Sequence, residues 1–195
     1  MMLELPPMPR VPKRQQRLRF TDPRKIVRQF PSGRTRQEHG VPAMAFTLES
    51  PAFGNGQVIP EPYVRSGGNL SPPLQWKNAP AGARSFLLVV EDPDAPRGMF
   101  RHWAVYDIAV GRDRLPEGTA GPENFRQGVN DFGNAHYDGP QPPKGHGVHH
   151  YHFRLSALDV ETLESGGETG IADLLAHAEP HMIATADLVG TYESR

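Results

Sequence analysis

The chain has no cysteine among its 195 residues, which excludes disulfide bridges, thiolate metal sites and a cysteine nucleophile. It also lacks long apolar runs. The longest, Phe86–Val90, has five residues, far short of the ~20 that a helix needs to cross a bilayer. No apolar central region of the secretory-signal kind opens the sequence, so the expected location is the cytoplasm. Aromatic residues make up only 8% and the net charge is -1, an average that points neither to nucleic acid nor to a membrane surface. No Gly-x-Ser-x-Gly elbow is present to carry a nucleophilic serine.

The chain is rich in turn formers, with 20 glycines and 21 prolines set between short apolar segments. That punctuation predicts a mainly β protein built from short antiparallel strands, an antiparallel β-sandwich. Strands are expected at 44–49, 73–76, 84–91, 102–109, 148–158 and 183–191. One helix is expected where Thr169 can cap a segment whose Ile171, Leu174, Leu175 and Ala178 share a face, and a shorter turn at Glu161–Glu164.

Charge divides the chain. Residues 1–40 hold 10 of the 21 Lys and Arg against 3 of the 22 Asp and Glu, giving +7, and the remainder carries -8. The basic arm shows no sustained apolar period, so residues 1–43 are expected to be disordered, apart from a short amphipathic turn near Arg17–Phe20 and Lys25–Arg28. Residues 44–195 form one domain.

The segment from Gly139 to Asp159 carries the most chemistry. Pleating from Val148 onward sends His149, Tyr151, Phe153, Leu155 and Ala157 to one face and His150, His152, Arg154 and Ser156 to the other. The first row is expected inside. Its polar tips, His149 and Tyr151, would then stand at the end of an apolar row. Alternation also puts His149 and His150 on opposite faces, which argues against a metal site built from His146, His149, His150 and His152. The apolar run Phe86–Val90 predicts a core strand that ends where Asp92 emerges at Pro93 and Pro96. Ser71 is read as a turn hydroxyl bonded to backbone and Trp76 as a core indole.

Several motifs in order resemble the phosphatidylethanolamine-binding protein family, which includes the Raf kinase inhibitor proteins, and especially its bacterial branch. They are Asn69-Leu-Ser-Pro-Pro-Leu-Gln-Trp76, Asp92-Pro-Asp-Ala-Pro96, His102-Trp103, Asn130-Asp-Phe-Gly133, Tyr137-Asp-Gly-Pro-Gln-Pro-Pro-Lys-Gly145, His149-His-Tyr151, Ala157-Leu-Asp159 and Ala186-Asp-Leu-Val-Gly-Thr-Tyr192. The resemblance implies a Greek-key arrangement of two antiparallel sheets with short helices near the C-terminus. It implies a small anion pocket lined by Asp92, His102, His149 and Tyr151, with Gln141, Pro142 and Pro143 at its rim, and a cis peptide at Ala95–Pro96. Departures from the family pattern are His150 where relatives often place arginine, Gln141 where bacterial relatives often place cysteine, and Phe100-Arg101 ahead of His102.

These residue types suit an anion. Imidazole N–H, phenolic O–H and backbone N–H groups donate to phosphate oxygens, while Asp92 would accept from one histidine nitrogen and fix its tautomer so that the other faces the ligand. The expected function is non-catalytic binding of a phosphorylated or anionic small molecule or lipid head group, without cofactor or metal. Regulation of a kinase or protease target follows from analogy alone. The alternative is a hydrolase using the same groups for proton transfer. Nucleic acid is not expected as a partner, and an open sheet edge would allow a homodimer although no position marks an interface. Deleting residues 1–40 should leave pocket affinity unchanged in a ligand titration; lost affinity would make the arm part of the site.

Overall fold

The computed structural model describes residues 44–119, 125–164 and 168–194, so the expectations for the arm at 1–43 lie outside the described residues. In chain order the strands are β1 (Thr47–Glu49), β2 (Gln57–Val58), β3 (Leu74–Lys77), β4 (Ser85–Asp92), β5 (Phe100–Ala109), β6 (Arg114–Leu115), β7 (Arg126–Gln127), β8 (His149–Leu158) and β9 (Met182–Tyr192). One α-helix, α1 (Ile171–Ala178), precedes β9. Strands β1, β3 and β6 form a three-stranded sheet, and a six-stranded sheet follows the order β2-β9-β8-β4-β5-β7. The fold is therefore mainly β, two sheets with a short helix near the C-terminus. The six predicted strands are β1, β3, β4, β5, β8 and β9. Strands β2, β6 and β7 escaped the sequence reading because two residues cannot display a period.

One short pairing departs from the antiparallel pattern. Strand β2 runs parallel to β9, pairing Gln57 with Gly190. Gly56 and Ile59 donate to the carbonyls of Val189 and Thr191, so the chain leaving β1 is laid along the edge of the larger sheet rather than returned to its own.

All eight residues of β4 are buried, and the reason is coverage on both sides. Phe86, Leu88 and Val90 enter the core between the sheets with Trp76, Trp103 and Phe153. Leu87 and Val89 point the other way and pack with Ile171, Leu174 and Ala178 of α1. A strand covered twice reads as a continuous apolar run rather than an alternation. Each such side chain contributes about 1.5–3 kcal/mol by leaving water. Strand β8, antiparallel to β4 from Ser85↔Leu158 to Glu91↔His152, keeps the predicted alternation at its start: His149, Tyr151 and Phe153 are buried, while His150 is exposed and His152 half-buried.

The helix buries Ile171, Leu174 and Ala178, with Leu175 half-buried beside them. Its cap is Gly170 rather than Thr169, and no side chain caps it. The backbone does that work: Ile171 N–H donates to the Val129 carbonyl and Val129 N–H to that of Thr169, so a neighbouring segment satisfies the first turn. Residues 161–162 only bend the chain, without the short helical turn predicted there. Trp76 is a core indole as expected, but among the described residues the Ser71 hydroxyl has no hydrogen-bond partner, while its carbonyl accepts from Gly118 N–H.

Gly139 is the tightest junction between the loop after β7 and the body of the domain. A Cβ there would strike the Tyr63 carbonyl oxygen and lie 2.9 Å from the Arg65 nitrogen, both backbone atoms that cannot rotate away. Gly139→Ala should lower stability by ~1–3 kcal/mol, read as a lower urea midpoint at unchanged slope. An unshifted midpoint would mean that this loop is free to move off the body.

Candidate functional site

The site is made by two strand ends and two loops. At the start of β5 the pairing with β4 slips, since Val90 pairs with Trp103 but Glu91 with Arg101. His102 is the unpaired residue of a β-bulge. Strict alternation would send it to the side of Ala104, away from the inter-sheet core that holds Trp103. The bulge re-aims it, and its ring instead stands 5.2 Å from that of Tyr151, a core residue.

A loop running from Val129 to Gly145 holds the ring in place. His102 Nδ1 lies 2.8 Å from the carbonyl oxygen of Asp138, and Asp138 N–H donates back to the His102 carbonyl at 3.3 Å. Asn130 is the hub of this loop. Its side-chain amide donates to the carbonyls of His102 and His136 and to Asp138 Oδ2, while its Oδ1 accepts from Phe132 and Asn134 N–H. The Asp138 carboxylate is buried, which disfavours its charge. Hydrogen bonds from Asn134, Asn130 and Arg65 outweigh that and hold its pKa below the ordinary aspartate range. Burial depresses the pKa of His102 below the ordinary 6.5, only partly offset by the Asp138 carbonyl and the Asp92 and Asp138 charges.

Strand β8 supplies the facing groups. His149 Nδ1 is 2.7 Å from Asp92 Oδ2, with both residues buried, so the tautomer-fixing contact expected between them exists. Asp92 Oδ1 accepts from Asp94 N–H at 2.9 Å. The other nitrogen of His149 is not left free, contrary to expectation. His146 Nδ1 meets it at 3.0 Å, brought there by a turn in which His146 N–H donates to the Pro143 carbonyl. Tyr151 is fully buried, and among the described residues its hydroxyl makes no hydrogen bond of good geometry, although the Asp92 carboxylate and the Gln141 backbone lie near enough to act on it. Burial first, then the charge of Asp92 and a hydrogen-bonding interaction with it, push its pKa far above the ordinary phenol value, with a smaller opposing effect from the Gln141 backbone.

All seven expected site residues, Asp92, His102, Gln141, Pro142, Pro143, His149 and Tyr151, line one cavity of about 220 Å³. Ala95, Pro96, Arg97, Phe100 and Phe132 complete it. Phe100 and Phe132 meet edge to face at 4.7 Å and make an aromatic wall, and Arg65 lies 4.1 Å over Phe132 while bonding Gln141 Oε1 at 2.6 Å. The sequence reading noted Phe100 only as a departure from the family pattern ahead of His102, weighed His146 only as a metal ligand, and did not place Arg97 or Phe132 at the site. Arg97 directly follows the Asp-Pro-Asp-Ala-Pro corner and Phe132 sits inside the Asn130 motif, so motif adjacency was the available signal. Among the described residues the structure has no cis peptide, which corrects the expectation at Ala95–Pro96. Gly98 N–H donates to the Ala95 carbonyl at 2.9 Å, placing trans Pro96 at the second position of an ordinary β-turn, where its fixed φ fits. Among the described residues no three metal-ligating side chains gather around a common point. The nitrogens of His146 and His149 point at each other instead.

Comparisons with known proteins agree with one another. The profile of the phosphatidylethanolamine-binding protein family matches residues 49–193. A UPF0098 protein of Aquifex aeolicus is 41% identical over 147 residues, covering 74% of this chain and 86% of its own. A Mycobacterium tuberculosis relative named as a lipoprotein, LppC, is 40% identical over 151 residues, 77% of this chain and 74% of its own. Among solved structures, Escherichia coli YbcL superposes with a TM-score of 0.73 at 34% identity and Chlamydia trachomatis CT736 with 0.70 at 38%, each covering 77% of this chain and 99% of its own.

The depressed His102 pKa has a consequence for stability. Between that value and 6.5 the unfolded chain binds more protons than the folded one, so stability is full above pH 6.5 and falls as the pH drops below it. Thermal midpoints from pH 8 to pH 5 should fall more steeply below 6.5 for the native chain than for His102→Gln; parallel curves would remove His102 as the cause.

Proposed function

The chain belongs to the phosphatidylethanolamine-binding protein family, and we propose that its cavity captures the anionic part of a phosphorylated or otherwise anionic small molecule or lipid head group without transforming it. The observation that carries this reading is the convergence of a buried phenol, two buried imidazoles and an arginine on one cavity of about 220 Å³. Among the described residues the Tyr151 hydroxyl makes no well-formed hydrogen bond, so a ligand oxygen can compete for its proton. Two imidazoles stand beside it, one oriented by Asp92 and one by the Asp138 carbonyl. Arg97 adds a permanent positive charge to the lining.

Non-catalytic binding is preferred over hydrolysis because the lining contains no serine, threonine, cysteine or lysine to attack. Of the nucleophile types that do line it, Asp92 has both carboxylate oxygens engaged, by His149 and by Asp94 N–H, His149 has both ring nitrogens engaged, by Asp92 and His146, and no base is placed to activate the Tyr151 phenol, whose pKa is raised. Control of a kinase or protease through surface contact rests on family analogy, and cytoplasmic residence is part of the same proposal. Among the described residues no helix is long and apolar enough to cross a membrane, while one relative is named as a lipoprotein.

Tyr151→Phe separates function from fold. Removing a buried hydroxyl that makes no well-formed hydrogen bond should change the stability of the empty protein by less than about 1 kcal/mol, while inorganic phosphate, followed by calorimetry and by the histidine resonances, binds about fivefold or more weakly. A variant that loses stability and keeps its affinity would make Tyr151 a core residue only. Turnover of p-nitrophenyl phosphate or acetate that vanishes in Asp92→Asn would establish the hydrolase instead.

A further inference from the structure

We infer that His146 is a positioning residue for the buried His149, and that the turn carrying it is a cover that acid opens, hinged on the glycine at each side. Three groups stand in line. Asp92 Oδ2 lies 2.7 Å from His149 Nδ1, and His149 Nε2 lies 3.0 Å from His146 Nδ1, with the two ring centroids 5.2 Å apart. Only 1% of His149 is exposed, whereas His146 is an exposed residue, so the second ring stands between the first and solvent. His146 N–H donates to the Pro143 carbonyl inside the turn. Among the described residues the ring contact is the one hydrogen bond that ties residues 144–147 to a strand. Gly145 and Gly147 flank His146 at φ +75° and +88°, and a Cβ built on either would meet nothing within 4 Å, so the space beside both hinges is open. Residues of this kind absorb a backbone rotation at little steric cost.

Proton counting makes the contact depend on pH. A carboxylate oxygen accepts, so His149 carries its first proton on Nδ1 against Asp92. The bond between the two rings then needs one proton and one lone pair. With both rings neutral, His146 donates to His149 Nε2. A first added proton leaves the bond intact, because one of the two facing nitrogens still holds a lone pair. A second sets N–H against N–H and one positive ring against another, and the bond is lost. The surrounding charges decide which ring moves. Asp92 at the end of β4 holds His149 directly, and the charge of His149 also acts on Asp94, which itself bonds His150. Tyr192, opposite His149 on β9, is neutral, as are Tyr151 and the buried His102. Positive charge comes from Arg97 in the cavity wall and from Lys144 in the turn itself. His149 is therefore anchored by a carboxylate and by its strand, whereas His146 shares its turn with a cation, so His146 is the ring that leaves. Opening frees the Nε2–H of His149, which the closed turn keeps occupied.

Nitrogen-15 relaxation on the full chain, with no ligand added, tests this. At pH 8 the amides of Gly145 and Gly147 should be rigid, with order parameters of about 0.85, and at pH 5 they should fall below about 0.6. Those of Phe153 and Leu155 should stay unchanged and report that the sheet is intact. The fall should follow the second of the two ring titrations, read on the imidazole nitrogens, and not the first. In His146→Asn, whose amide can donate or accept where Nδ1 stands and does not titrate, both glycines should stay rigid at both pH values. In His146→Ala they should be mobile at both. Glycines equally rigid at pH 8 and pH 5 in the native chain overturn the inference. So does a loss of order in acid that persists in His146→Asn, since it then arises at another group such as His102. Because no anion enters the experiment, failure of the cover leaves the pocket reading standing, and failure of phosphate to bind leaves the cover standing.

Discussion

The hydrogen bond from His102 Nδ1 to the Asp138 carbonyl is the joint on which the site depends. It ties the bulged start of β5 to the loop after β7, so one contact links the sheet to the segment that carries Pro142 and Pro143. Because a carbonyl oxygen never donates, the bond also decides the tautomer of a buried ring. Geometry and protonation are thus fixed together. Around it the loop supplies its own rigidity through Asn130, which bonds backbone groups of the loop and the His102 carbonyl, and Asp138, whose carboxylate accepts from the Asn130, Asn134 and Arg65 side chains. A fully satisfied polar network of this kind holds a loop in one arrangement where an apolar contact would allow several.

The sheet beneath gives that joint something firm to attach to. Strand β4 sends alternate side chains into two separate apolar clusters, and its far end delivers Asp92. Strand β8 pairs with β9 from His149 onward and with β4 from His152 onward, so His149 and Tyr151 stand at the start of a strand whose continuation is held on both sides. The cavity therefore forms where two well-packed central strands end and polar loops begin. Rigid strands present the donors and loops shape the wall, which limits the reorganisation that a ligand must drive.

How much of this was legible in the sequence varies with the kind of signal. The inward row of β8 could be read from alternation alone, and burial of His149, Tyr151 and Phe153 follows it residue by residue. His102 could not be read that way. Its orientation comes from a bulge that inserts one residue into the register, and no local composition announces it; only the family resemblance named the position. His146 was considered only as a metal ligand, because its contact with His149 depends on the turn closed by the Pro143 carbonyl, a loop geometry with no period to detect. The helix cap failed for a related reason. Thr169 has the right chemistry to cap, but a backbone bridge to Val129 had already supplied what the side chain would have offered.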